Sequence, residues 1–345
     1  MSRLSPDAQD ARFIRRVVIL IVILGGTFVL FRAANMLILA FGSILGGIAI
    51  RAVADLYARL PRVRPRAALA LGIFSVLAVL AFLGWLFAVH FASQVDQLVI
   101  QTPQLAAKFD AWLSQSAAGA QLSSAIKSSL SGSRIAKDAG EMLRGGGEFV
   151  LNAIVMLFGA MFFATDPQLY RRGLLLLVPP RQRPAFADAT NDVAATLRRW
   201  LRAELIGMTT MGVLIGTGLW LSGVPSAGAL GLLAGLSEFI PYVGPTAAML
   251  PALGLGAAAG QGPLIGALAT YSVVRLIQTN LITPFVQAQI VSIPPAVTLF
   301  AIIGTGLVFG LFAMFFSAGL LVVIFTLIRS LYLRDVLGER IDADA

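Results

Sequence analysis

The chain has 345 residues, of which 58% are hydrophobic and only 12% charged, with a formal net charge of +9. A soluble domain carries about 25% charged residues, so half that share marks a chain that lives in lipid. With no cysteine and a single histidine, His90, the sequence excludes disulfide frameworks, thiolate zinc sites and multi-histidine metal centres. No cofactor is expected.

The positive charge is arginine gathered beside apolar runs: Arg12, Arg15 and Arg16; Arg59, Arg62, Arg64 and Arg66; Arg171, Arg172, Arg181 and Arg183; Arg198, Arg199 and Arg202; Arg329, Arg334 and Arg340. That distribution reads as short cytoplasmic segments next to an anionic leaflet, not as a nucleic-acid surface. Residues 1–16 form the cytoplasmic N-terminus. The start imitates a signal peptide, but Arg32 stands where a small residue is needed for cleavage, so the first span is expected to stay attached.

A helix crosses the bilayer with roughly twenty apolar residues. Apolar runs place spans near 17–33, 36–55, 67–91, 147–165, 203–222, 227–258, 262–284 and 296–328. The fold class is therefore an all-α polytopic membrane protein with about eight transmembrane helices. The first three spans occupy 17–91. Segment 92–146 is extracytoplasmic; Leu105, Phe109, Trp112 and Leu113 recur there at helical spacing and form one apolar stripe. Residues 166–202 read as cytoplasmic amphipathic helices anchored to lipid. A transport core fills 203–328, and 329–345 is a cytoplasmic C-terminus. Glycine pairs four apart, Gly42/Gly46, Gly212/Gly216, Gly231/Gly235 and Gly306/Gly310, permit close helix contact. No internal repeat is evident along the chain.

From Leu205 to Ile328 the only charged side chains are Glu238 and Arg275. Glu238 opens the stretch "EFIPYVGP", where Pro241 and Pro245 each remove an amide donor and Gly244 lets the backbone turn. Segment 227–258 is too long for one straight crossing and is expected to be a discontinuous or re-entrant helix. Polar backbone at that depth survives only when buried in protein or lining a watery cavity, and transporters hold solutes and ions at such breaks. An isolated charge at the bilayer centre costs about 2.5 kcal/mol or more. Glu238 and Arg275 are therefore read as a buried pair, as a carboxylate exchanging a proton or cation, or as both. Gln278, Asn280, Thr283 and Pro284 follow in a second polar, proline-broken stretch. With Tyr242 beside Pro241, these residues complete the candidate solute or ion site: Glu238, Pro241, Tyr242, Gly244, Pro245, Arg275, Gln278, Asn280, Thr283 and Pro284.

"SEFIPYVGPTAAMLPA", "FFATDPQLYRRGLLLLVP", "QTPQLAAKFDAWL" and "NLITPFVQAQIVSIPPAVTLF" together resemble the autoinducer-2 exporter family of bacterial membrane proteins. The resemblance covers nearly the whole chain. It implies an eight-helix inner-membrane protein moving small solutes outward: autoinducer-2 in some members, sodium or lithium against protons in others. It also implies homo-oligomers, with pentamers among them. Two positions depart from the pattern. Gln278 stands where an acid is expected, and the proline expected in the last span is replaced near Ala318.

The sequence favours a transporter over an enzyme. A serine protease of the membrane needs a histidine near its nucleophile, and His90 is the sole candidate. The stretch 205–328 holds no aspartate for an aspartyl pair, and paired histidines are absent. A scaffold would leave the broken helix without a purpose. An uncoupled channel and a sodium or lithium antiporter are the alternative readings.

Overall fold

The computed structural model describes residues 35–86, 147–282 and 293–334, with a few isolated positions elsewhere. The expected first span and the extracytoplasmic segment lie outside the described residues. Within them the chain is helical, with no strand, as an all-α polytopic membrane protein requires: with no water to satisfy exposed backbone groups, each span closes its own hydrogen bonds.

Helix α1 (Asn35–Ala58) and α2 (Pro65–Leu86) are each long and apolar enough to cross a bilayer. Helix α3 (Gly147–Thr165) packs along α1 in parallel: a Cβ at Gly42 would fall 2.6 Å from Met156 Sδ, and one at Gly46 2.8 Å from Ala160 Cβ. At the end of this seam Arg51 donates from Nε to the Ala164 carbonyl at 2.7 Å and from Nη2 to the Thr165 carbonyl at 3.1 Å. A guanidinium there satisfies orphan carbonyls and complements the negative end of the α3 dipole. Because the two helices run the same way, the arginine-rich segments that follow each of them emerge on one side.

The chain then turns through 87° into α4 (Pro167–Leu176). Asp166 caps it, accepting from Leu169 N at 3.2 Å, and Pro167 occupies the first turn, where its missing donor costs nothing. None of its residues is buried. A single 3₁₀ turn leads into α5 (Arg183–Leu221), 39 residues long. At 1.5 Å per residue this is roughly 58 Å, the axis on which the rest of the bundle is built.

Helix α6 (Ala227–Ser237) returns antiparallel along α5. The seam is glycine on glycine: a Cβ at Gly231 would lie 2.6 Å from Gly216 Cα, and one at Gly235 2.6 Å from the Met208 carbonyl. The backbones touch, as small residues four apart allow. Helix α7 (Val243–Ala259) folds back on α6, and α8 (Gln261–Ile277) folds back on α7 around Gly260, whose φ of +131° only glycine adopts readily. The Tyr271 hydroxyl crosses that hairpin to the Ala248 carbonyl at 3.1 Å. Segment 227–258 is thus a reversal, two helices side by side, and not one kinked crossing.

After a π turn (Gln278–Ile282), the described chain resumes with α9 (Pro295–Phe309) and α10 (Leu311–Leu327). The expected single span 296–328 is divided at Gly310, which has φ +93°. Apolar residues on both sides hide this turn from hydropathy; only the glycine marks it. The two hairpins also share a pattern that the linear reading missed. Pro245, Gly254, Gly256 and Gly260 recur as Pro295, Gly304, Gly306 and Gly310, each 50 residues on. Each turn glycine donates to the buried glycine one turn back, Gly260 to Gly256 at 3.1 Å and Gly310 to Gly306 at 2.9 Å.

Two apolar clusters flank α5 along its length. One joins Met211, Ile215 and Leu219 to Leu230, Ala248, Ala252 and Tyr271. The other joins Leu197, Trp200 and Leu201 to Phe41 of α1 and Phe316 and Val322 of α10. Where they meet, near the middle of α5, the chain leaves α6.

Candidate functional site

The break between α6 and α7 covers residues 238–242. It forms because Pro241 cannot donate and Pro245 cannot continue the preceding helix. Pro241, Tyr242 and Val243 make a γ-turn: Val243 N donates to the Pro241 carbonyl at 2.8 Å, and Tyr242 has φ +66° and ψ −49°. For a residue with a Cβ this conformation is rare and strained. The turn falls on Tyr242, not on Gly244 as its sequence suggests. Gly244 sits in the first turn of α7 and is needed for close approach, since any Cβ there would run into the Ser237 carbonyl. Pro245, also buried, lies in the same turn, where α7 has no intrahelical partner for its missing donor.

Aromatic packing fixes the break in place. Phe239 lies edge-on to Trp200 of α5, with ring centroids 5.8 Å apart, and against Phe315 and Phe316 of α10 at 6.2 and 6.3 Å. Ile240 joins Ile302 of α9 and Met314 of α10 in a separate buried cluster. The break is wedged between the two hairpins.

Glu238 is the polar centre of this region. Its Oε1 accepts a hydrogen bond from Gln278 Nε2, and Gln278 Oε1 in turn accepts from Arg275 Nη1 at 3.2 Å. The Gln278 side chain is buried, and its amide matches donor to carboxylate and acceptor to guanidinium. Arg275 therefore balances Glu238 through a neutral relay and by its field. The π turn at Gln278–Ile282 redirects Gln278 inward; such local widenings occur often at functional sites. Glu238 Oε2 is sealed from solvent and has no hydrogen-bond partner among the described residues. A buried acceptor left unmatched is costly, so this oxygen needs a proton or a visiting group.

The remaining candidates divide. The Tyr242 side chain is exposed. Asn280 is exposed and donates to the Leu276 carbonyl of its own helix at 2.8 Å, away from the Glu238 group. Thr283 and Pro284 lie outside the described residues. Among the described residues no three His, Cys, Asp or Glu side chains gather as a metal site would require.

One acid was missed. Glu204 of α5 is close enough to Glu238 for their charges to act on each other. It stands one residue before the charge-poor stretch and next to Arg198, Arg199 and Arg202, where it reads as part of a headgroup belt. The glycine seam could have revealed it. Met208 faces Gly235, Gly212 faces Gly231 and Gly216 faces Ala227. One more turn brings Glu204 level with Glu238 and Phe239.

A family model described as "AI-2E family transporter" matches residues 17–333. "Putative transport protein YrrI" of Bacillus subtilis (strain 168) is 25% identical over 167 residues, covering 48% of this chain and 47% of that protein. "Putative transport protein YueF" of the same organism is 22% identical over 183 residues, covering 53% and 48%. A Methanothermobacter thermautotrophicus protein of similar name is 28% identical over 101 residues, covering 29% and 30%. The chain spans about half the length, or less, of these relatives.

Proposed function

The chain belongs to the AI-2E transporter family, and from that premise we propose that it carries a small solute or ion across the bacterial inner membrane through the break between α6 and α7, coupled to protons through Glu238. The observation that carries this reading is the sealed, unmatched Glu238 Oε2 beside a strained turn in an apolar bundle. A carboxyl oxygen held there without a partner is poised to exchange a proton or meet a cargo group. Gln278 and Arg275 keep the carboxylate tolerable when it is ionised. Tyr242 and the adjoining backbone face the aqueous side of the path.

The termini are assigned to the cytoplasm from the arginine bias, and the family resemblance favours a homo-oligomer. Membrane lipid surrounds the exposed apolar faces of α1, α2 and α3. A sodium or lithium antiporter is the nearest alternative within this reading, since the same carboxylate would serve.

The natural absence of cysteine makes a direct test convenient. A Tyr242→Cys variant is expected to react with a membrane-impermeant thiol reagent in proteoliposomes and to lose flux once labelled. A control cysteine at Leu233, half-buried in α6, is expected to stay unlabelled. Labelling at Tyr242 with flux intact would take the break off the transport path.

A further inference from the structure

Glu204, Glu238 and Arg275 carry two potential negative charges and one positive charge, and among the described residues the other side chains around them do not restore the balance. The facing elements α7 and α10 have no Asp, Glu, Lys, Arg or His. Helix α6 has none before Glu238. On α8, besides Arg275, Tyr271 is the other titratable group, and its hydroxyl is engaged with the Ala248 carbonyl. On α5, Arg198, Arg199 and Arg202 are exposed. Gln278 is neutral, so it relays charge without supplying any. One uncompensated negative charge would remain in an apolar setting, which proteins avoid by taking up a proton.

We propose that Glu204 is the second carboxyl of the site and that Glu204 and Glu238 together hold one proton while Arg275 neutralises the other charge. This deepens the transport reading above and rests on it for its purpose, but the protonation state is a property of the resting protein and can be tested without transport. Two geometric observations support it. The glycine seam sets the register that brings the two side chains to one level of the α5–α6 hairpin. Glu238 Oε2 is sealed and unmatched, the place where a shared proton would make its bond. Two acids close together titrate as a pair, so the proton belongs to neither alone.

The assignment makes a counting prediction. Removing either acid leaves one carboxylate opposite Arg275, a neutral set that needs no proton. Removing the guanidinium leaves two acids and calls for a second proton. Infrared spectroscopy of the full-length protein in lipid, in sodium- and lithium-free buffer at neutral pH, reads the C=O stretch of a protonated carboxyl. The wild type should show one such band. Glu204→Gln and Glu238→Gln should each lose it, and Arg275→Gln should roughly double it. All four proteins should elute alike on size exclusion; Glu204→Asp, which keeps the acid, serves as a second variant and should retain the band if Gln at this position disturbs folding. A wild type with no band, or a band undiminished in Glu204→Gln, overturns the proposal. Absence of coupled flux in a wild type that keeps the band would instead sink the transport reading alone.

Discussion

At the scale of single residues, the region turns on three side chains that do what their types do least willingly. Tyr242 adopts a positive φ, Gln278 is buried, and Glu238 keeps one oxygen unmatched. Strain of this sort costs about 1–3 kcal/mol and persists only when the surroundings enforce it. Here Phe239 and Ile240 are locked into neighbouring clusters on one side and Gly244 is pressed onto Ser237 on the other. The Tyr242 conformation sets up a graded prediction. Glycine removes the Cβ penalty, while a β-branched residue sharpens it. In thermal unfolding, Tyr242→Gly should be at least as stable as wild type and Tyr242→Val less stable, by about 1–2 kcal/mol between the two variants. Equal stability would mean that the turn relaxes freely and stores no strain.

At the scale of elements, glycine decides the geometry. The α5–α6 seam has its backbones in contact, and adding a side chain there must push the helices apart. Gly231→Leu is expected to destabilise the protein by about 1–3 kcal/mol through overpacking, and to displace Glu238 from Glu204. Flux should fall with it even in preparations that remain folded and inserted. A Gly231→Leu protein with wild-type stability and flux would show that the seam does not hold the two acids in place.

The same elements explain what was legible in the chain. The break at 238–242 was visible because two prolines and an acid interrupt an apolar run, and hydrophobic periodicity carried the helices around it. The reversal of direction at that break was not visible, since a proline–glycine interruption looks alike in a kinked span and in a hairpin. The turn at Gly310 was hidden for a related reason: paired with Gly306, it resembles the many glycines that merely ease packing. The repeat of Pro245 through Gly260 at Pro295 through Gly310 was hidden because only the turn-forming and close-contact positions recur, while the lipid- and core-facing residues between them differ. Glu204 stands beside three arginines at the edge of a span, where charge is normally a matter of anchoring, and so carries no signal of its own. Only the register of the glycine seam brings it level with Glu238.

At the scale of the molecule, an axis helix, α5, carries two apolar clusters, with Glu204 and Glu238 where they meet. On one flank lies the α6–α8 group; on the other, α1 and α10. Phe239 ties the two flanks together at the site itself. A protein that needed only to sit in lipid would gain stability by replacing such a group with well-packed apolar residues. Retaining two carboxyls, a guanidinium and a strained turn at one level fits a site whose charge changes during work. The measurement that tests this most directly is proton movement in proteoliposomes under imposed sodium, lithium and pH gradients, wild type beside Glu238→Gln. Wild type should move protons in response to at least one of these gradients, and the variant should fall to the level of protein-free liposomes. Flux in Glu238→Gln equal to that of wild type, or wild-type flux no greater than that of empty liposomes under every gradient, would contradict a coupling role for this carboxyl.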